Sequence, residues 1–268
     1  MKISLFSQSL FALPLDEAIE ETAATGFTAI ELACIQPHFD LAIARRDPER
    51  VAERIQRAGL AVSALSLFTR FTDPNDLQEQ LENAEAFMAL APVFNTRLVK
   101  LTPGPPASVD AADHHWRALQ EAIDRLVPVA REFGIRLAFE THMRQLTDSL
   151  ASSRRLLEMA PRNVVGLTVD FSNLSFAGET MSEVVAVLND RMYHTHLKNG
   201  YVDQEGGWHF QALDRGLTDY PALLQMLHDV GYGGYLSIEC LGPDAQERPI
   251  ETAQRDLNIL KRFLEQIG

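Results

Sequence analysis

The chain has 268 residues, of which 46% are hydrophobic and 23% charged, so it can bury one large core as a globular protein. Its formal net charge of −13 disfavours nucleic acid and anionic membranes as partners. The two cysteines, Cys34 and Cys240, form neither a disulfide framework nor a Cys-x-x-Cys metal pair, which is typical of a cytoplasmic protein. No apolar stretch approaches the roughly 20 residues of a membrane span. No linker divides the chain, so residues 1–268 are predicted to form a single domain.

A short apolar run followed by an amphipathic run repeats along the chain. Eight such strand–helix units predict an α/β protein whose parallel sheet closes as a (β/α)8 TIM barrel. An open doubly wound sheet is the alternative, but the Gly-x-Gly-x-x-Gly turn expected after its first strand is absent. Asp-Pro pairs at 47–48 and 73–74 predict two helix starts. The strands are predicted at 2–7, 28–33, 60–67, 96–101, 135–140, 164–170, 192–198 and 234–239. The helices are predicted at 15–25, 48–59, 74–90, 109–133, 147–159, 179–188, 220–230 and 251–267.

The seventh predicted strand has a polar face inside an otherwise apolar segment. Alternation places His194, His196 and Lys198 on the same side of it. Buried without partners, each of these groups would cost roughly 2–7 kcal/mol, so other strands must supply partners. Three other strands end in a carboxylate, and these are Glu140, Asp170 and Glu239.

The C-terminal ends of barrel strands meet at one rim, where active sites lie. Strands five to eight bring four candidate ligands to this rim: Glu140, Asp170, His196 and Glu239. Considered alone, each carboxylate could be a solvated loop anchor, and the histidine could be a hydrogen-bonded core residue. Together they predict one divalent metal ion, because clustered carboxylates otherwise take up protons. The oxygen-rich set favours Mn²⁺, with Mg²⁺ or Co²⁺ as alternatives and Zn²⁺ less distinctive.

Five short motifs carry a resemblance to a known family: A-I-E-L at 29–32, F-E-T-H at 139–142, V-D-F-S-N at 169–173, H-T-H-L-K-N at 194–199 and G-Y-L-S-I-E at 234–239. The whole chain resembles the xylose-isomerase-like barrels, which include sugar isomerases and epimerases, with endonuclease IV as a distant relative. The resemblance implies that Glu140, Asp170, His196 and Glu239 hold one divalent ion, and that the two glutamates also transfer protons. The sequence departs from the family at Asn173, where many members have histidine, and at Asn199, where many have aspartate.

Several further residues are candidates for binding substrate. His142 lies two residues beyond Glu140 and could bind a hydroxyl group or serve only as a capped loop histidine. Asn173 stands where family members use a substrate-contacting histidine. Lys198 could stabilise an oxyanion or form an ion pair with Glu31. His194 is expected to be a satisfied core histidine. The long loop 199–217, with Trp208 and His209, is expected to be a lid or a subunit contact.

The leading functional prediction is a metal-dependent isomerase or epimerase of a sugar or polyol ketone. One glutamate would remove the proton next to the carbonyl, and the other would return a proton to the enediolate. The alternative is a dehydratase of a cyclic keto acid, as in the 3-dehydroshikimate dehydratases of this superfamily. Endonuclease-like repair is opposed by the net charge and by Asn173, and a non-catalytic sugar-binding barrel by the complete ligand set. The expected partner is a small carbohydrate-like substrate, and the resemblance also implies a homo-oligomer.

Overall fold

The computed structural model describes residues 1–267 and contains a closed barrel of eight parallel strands. These strands are β1 (Lys2–Phe6), β2 (Ala29–Ala33), β3 (Ala61–Ser66), β4 (Leu98–Leu101), β5 (Arg136–Glu140), β6 (Val165–Asp170), β7 (Met192–Leu197) and β10 (Tyr235–Ile238). Each barrel strand pairs with the next one along the chain, and β10 closes the ring between β7 and β1. The predicted (β/α)8 barrel is therefore confirmed. Two further strands, β8 (Asn199–Val202) and β9 (Trp208–Gln211), form a separate antiparallel hairpin.

Helices follow the barrel strands and cover the outside of the barrel. They are α1 (Leu15–Ala24), α2 (Leu41–Arg46), α3 (Pro48–Arg57), α4 (Leu77–Met88), α5 (Asp113–Glu132), α6 (Leu150–Met159), α7 (Phe171–Phe176), α8 (Met181–Leu188), α9 (Tyr220–Asp229), α10 (Pro243–Glu247) and α11 (Pro249–Leu264). Their burial follows helical periodicity: α5, for example, buries Trp116, Leu119 and Ile123 on one face. As predicted, Asp47 caps α3, because its side chain accepts the N–H of Arg50.

The sequence-based boundaries differ from the observed ones at several helices. The predicted start at 73–74 is wrong, since Asp73 accepts the N–H of Asn75 in a local turn and α4 begins only at Leu77. Helix α5 begins at Asp113 because residues 108–110 form a separate 3₁₀ turn. Ser149 caps α6, so this helix starts after the predicted position. The short helices α2, α7 and α10 and the hairpin were not predicted.

The strand register fixes which side chains meet at the C-terminal rim. Asp170 lies beside His196 across the β6–β7 pair, and His196 lies beside Ser237 across the β7–β10 pair. Glu140, the last residue of β5, lies beside Thr168 of β6. The polar positions of four strands therefore share one end of the barrel. Within residues 1–267, no helix combines the length and the apolar composition that a membrane crossing requires.

Candidate metal centre

The four predicted ligands converge at the C-terminal rim. Glu140 and Asp170 end β5 and β6, His196 lies near the end of β7, and Glu239 directly follows β10. One ligand atom of each lies within 4.8 Å of those of the other three, and all four side chains are buried. The structure therefore brings together the whole predicted set, at the ends of strands or, for Glu239, directly after one.

Lys100 of β4 also belongs to this cluster, although sequence reasoning missed it. Its Nζ lies 2.7 Å from Glu140 Oε2 and 4.7 Å from the centre of the Phe68 ring. Burial raises the pKa of Glu140, but Lys100 and His196 lower it by more, so the carboxyl group is held well below its usual range. The available signal was the position of Lys100 near the end of an apolar strand, where the other site residues also lie.

Lys198 joins two of the carboxylates. Its Nζ lies 2.7 Å from Asp170 Oδ2 and 2.7 Å from Glu239 Oε2. Burial lowers the pKa of this ammonium group, but Asp170 and Glu239 raise it by more, so Lys198 carries its charge at neutral pH. The alternative that Lys198 pairs with Glu31 is wrong, because Glu31 lies deeper in the barrel and has other partners.

Two of those partners are the histidines of β7. His194 Nε2 lies 2.8 Å from Glu31 Oε2, and His196 Nε2 lies 2.9 Å from Glu31 Oε1. Burial raises the pKa of Glu31, but His196 and His194 lower it by more, so this carboxylate is ionised. His194 is thus a buried, hydrogen-bonded histidine, as expected, although its Nδ1 has no partner within residues 1–267.

The donor set fits a divalent cation. Asp170 Oδ1 accepts the N–H of Asn173 at 2.9 Å, and its buried Oδ2 lies 2.7 Å from Lys198 Nζ, which is shared with Glu239. Buried carboxylates cost free energy unless cations of matching charge surround them. Three carboxylates also outnumber the two ammonium groups around them. These oxygens and one imidazole nitrogen match the ligand preferences of Mn²⁺, Mg²⁺, Co²⁺ and Zn²⁺.

The other predicted substrate contacts lie beside this cluster. His142 is partly exposed, and its Nδ1 donates to the carbonyl of Met143 at 2.9 Å, which leaves Nε2 as an acceptor. Asn173 is buried and donates through Nδ2 to the carbonyl of Thr141 at 3.0 Å. The Oδ1 atom of Asn173 is buried without a hydrogen-bond partner within residues 1–267.

The loop 199–217 folds as a hairpin beside the site. Asn199 holds its two ends together: Nδ2 donates to the carbonyls of Leu213 and Thr218, and Oδ1 accepts the N–H of Gly200 and of Thr218. A Cβ at Gly216 would collide with this Oδ1. The asparagine that departs from the family pattern therefore has a structural role here.

The hairpin contacts its own barrel through aromatic side chains. The guanidinium of Arg144, in the β5 loop, lies 4.4 Å from the Trp208 ring. Lys198 Nζ lies 5.9 Å from the Phe210 ring. His209 points away from Trp208, stacks on Tyr201 and pairs with an acidic side chain in the hairpin turn. Trp208 thus packs near the rim, whereas His209 does not join it.

A parallel eight-stranded barrel that gathers carboxylates and an imidazole on its strand ends defines a class of proteins with metal-assisted active sites. The chain belongs to the xylose isomerase-like TIM barrel family, which matches residues 19–263. The resemblance drawn from the five motifs is therefore confirmed, as is the prediction that the chain belongs to a family of enzymes.

Individual relatives are more distant. Inosose dehydratase of Clostridium perfringens is 24% identical over 163 residues, which cover 56% of this chain and 55% of the relative. The chain thus spans about half the length of this curated relative. The crystal structure of the probable 3-DHS dehydratase AsbF from Bacillus anthracis has a TM-score of 0.81 at 19% identity, covering 97% of this chain and 99% of that one. A structure of the IOLI protein with a bound zinc atom has a TM-score of 0.86 at 16% identity, covering 100% of this chain and 99% of that one. At these identities the two structures show the shared fold alone.

The comparisons overturn one prediction. Several curated relatives, from different bacteria, are inosose dehydratases. The leading prediction of a sugar isomerase or epimerase is therefore wrong, and the dehydratase alternative is better supported. The physical reason is that proton removal next to a carbonyl is common to both reactions, so the ligand set alone does not select between them.

Proposed function

We propose that this chain is a metal-dependent dehydratase that removes water from a small cyclic polyol ketone. One observation carries the proposal: Lys198 Nζ lies 2.7 Å from Oε2 of Glu239, which is itself one of the predicted metal ligands. A carboxylate and an ammonium group in contact provide one acceptor and one donor of a proton at the same place. The names of the curated relatives support a substrate of the inosose type.

The reaction needs one base and one acid. The base removes the proton from the carbon next to the carbonyl, and the electron pair of that C–H bond becomes the new C=C bond. The C–O bond at the next carbon breaks, and the acid gives a proton to the departing hydroxyl group, which leaves as water. No oxidant or reductant is required, and the product is a conjugated enone.

Glu239 and Lys198 are suited to these two roles. Glu239 would take the carbon-bound proton, while the ammonium of Lys198 would protonate the leaving hydroxyl. The pair would then hold a neutral acid and a neutral amine, and a proton passing along their 2.7 Å contact restores the starting state. The enzyme therefore needs no external proton to begin the next turnover.

The remaining ligands would have a supporting role. A divalent ion held by Glu140, Asp170, His196 and Glu239 supplies Lewis acidity that makes the proton next to the carbonyl more acidic. Glu140 Oε2 is paired with Lys100, so the oxygen of Glu140 that remains for the metal ion is Oε1, which lies 3.2 Å from His196 Nδ1. The additional proton-transfer role of Glu140 stays a prediction.

The charges around the site favour a neutral substrate. Within residues 1–267 both ammonium groups of the cluster, Lys100 and Lys198, already lie 2.7 Å from a carboxylate. Apart from the metal ion, a keto acid such as 3-dehydroshikimate would therefore meet no ammonium group of the cluster that lacks a carboxylate partner. The unpartnered Oδ1 of Asn173 and the free Nε2 of His142 can each accept a hydroxyl group, which a polyol ketone offers in several positions.

A spectroscopic assay tests the proposal. Purified protein loaded with Mn²⁺, or with Zn²⁺, is offered an inosose, 3-dehydroshikimate and a ketohexose, and the ultraviolet absorbance of a conjugated product is followed. We expect absorbance with the inosose and none after treatment with a chelator. Epimerised ketohexose without an absorbing product would overturn the dehydratase. Turnover of 3-dehydroshikimate alone would retain the dehydratase but overturn the neutral substrate.

Matched variants test the acid–base pair. Lys198→Met and Glu239→Gln should each lower kcat by about 10²- to 10⁴-fold, the usual contribution of a positioned acid or base. Lys261→Met, at an exposed position of α11, is the control and should leave kcat unchanged. If Lys198→Met retains full kcat, the ammonium group is not the acid.

A further inference from the structure

Three hydrogen-bond donors converge on the carboxylate of Glu31. Besides His194 Nε2 and His196 Nε2, the hydroxyl of Ser237 donates to Glu31 Oε2 at 2.6 Å. These contacts, at 2.6–2.9 Å, have hydrogen-bond lengths, and a carboxylate that receives three such partners accepts from them, so each partner donates. Both imidazoles therefore carry a proton on Nε2.

This arrangement determines which nitrogen of His196 is left for a metal. In the neutral imidazole with a proton on Nε2, the lone pair is on Nδ1. His196 Nδ1 lies 3.2 Å from Glu140 Oε1 and 3.9 Å from Glu239 Oε2, on the side of the carboxylate cluster. The ring is also held by Phe6, which stacks on it with centroids 5.0 Å apart.

We propose that Glu31 is a positioning residue that fixes His196 in the Nε2–H tautomer and directs its Nδ1 lone pair into the metal centre. A carboxylate behind a metal-bound imidazole orients the ring and makes the ligating nitrogen more basic. The inference rests on the metal centre of the proposed function but not on dehydration. Its test therefore measures metal binding and the tautomer, which are independent of the substrate.

A second metal ion held by Glu31, His194 and His196 is the competing interpretation, because these three residues also form a compact ligand group. The distances oppose it. Two ligands of one tetrahedral ion, each at 2.0–2.1 Å, stand ~3.3 Å apart. The nitrogen-to-oxygen distances here are 2.8–3.0 Å, which are those of direct hydrogen bonds. This group is also fully buried.

The first measurement uses the unmodified chain. Protein labelled with ¹⁵N-histidine and loaded with Zn²⁺ is studied by long-range ¹H–¹⁵N NMR, and the His196 signals are assigned from their loss in His196→Gln. We expect His196 to carry its proton on Nε2 and to bind zinc through Nδ1, with one zinc per chain. A proton on Nδ1, zinc on Nε2, or two zinc ions per chain would overturn the proposal.

The second measurement uses Glu31→Gln. The amide offers one acceptor and one donor, so at least one imidazole must give up its Nε2 proton to accept from the amide. We expect the Zn²⁺ dissociation constant to rise about 10- to 100-fold, together with a tautomer shift at His196. Weaker zinc binding with an unchanged Nε2–H tautomer would mean that Glu31 contributes only charge. Unchanged zinc binding would remove its role altogether.

Ser4→Ala provides the matched control. Ser4 is also buried inside the barrel, where its Oγ lies 2.8 Å from Ser63 Oγ, but it does not contact Glu31. Its replacement removes a buried hydrogen bond without changing the surroundings of His196. Zinc affinity and the tautomer should therefore stay as in the parent chain, and a loss as large as that of Glu31→Gln would identify a general packing effect.

Discussion

Replacing Lys100 by methionine should strongly destabilise the metal-free protein. Lys100 and Glu140 form a buried pair at 2.7 Å, with side chains 1% and 4% exposed. Methionine fills most of the volume of the lysine side chain, but it leaves the carboxylate without its cation and removes the ammonium group that lies 4.7 Å from the centre of the Phe68 ring. Removing one member of a buried ion pair costs about 3–5 kcal/mol, so we expect a loss of that size in the free energy of unfolding.

Urea denaturation, followed by circular dichroism in the presence of a chelator, measures this loss. Saturating Mn²⁺ should reduce it, because a cation near Glu140 replaces part of the missing charge. In the double variant Lys100→Met/Glu140→Gln, the total loss should be smaller than the sum of the single losses, by about 0.5–3 kcal/mol. The control is Lys261→Met, which is exposed and should change little. A metal-free loss below about 1 kcal/mol, or strict additivity, would refute the reasoning from the buried pair.

Three further predictions concern the hairpin, the thiols and the metal. Asn199→Ala removes the hydrogen bonds that join the ends of loop 199–217, so limited proteolysis should cut this loop much faster than in the parent chain. Equal cleavage rates would contradict the role of Asn199 as a clamp between the two ends of the loop. Burial raises the pKa of both Cys34 and Cys240, so neither thiol should react with iodoacetamide at pH 8 until urea unfolds the chain. Addition of Mn²⁺ at 100 times its dissociation constant should raise the free energy of unfolding of the chelator-treated protein by about 2.7 kcal/mol, as measured by urea titration. Ca²⁺ should stabilise the protein less, because Ca²⁺ needs six to eight oxygen ligands.

The barrel could be predicted because the sequence signals that specify its strands and helices are local. Each apolar run, its period and the helix caps that follow are contained in a few consecutive residues, and eight repeats leave few topologies. The ligand set was accessible for the same reason: the carboxylates occur where strands end. Helix starts such as that of α4 are harder to predict from the sequence, because an aspartate such as Asp73 can accept a hydrogen bond in a local turn as readily as at a helix N-cap.

The missing parts of the site depend on closure of the barrel. Glu31 and His194 are separated by 163 positions, and only the completed ring brings them within hydrogen-bond distance. Lys100 was overlooked because a lysine at a strand end is usually solvated, and its partner lies on the neighbouring strand. The hairpin had a local signal that was not used, namely Gly206 and Gly207 between two short alternating segments.

The clamp at Asn199 has a consequence for engineering. Because the Asn199 side chain bonds to both ends of the segment, the two ends stay joined without any contribution from the tip at residues 203–207. A longer or chemically different turn can therefore be grafted there while β7 keeps its register. The hairpin turn is therefore a position at which access to the barrel rim can be redesigned without changing the residues of the metal centre.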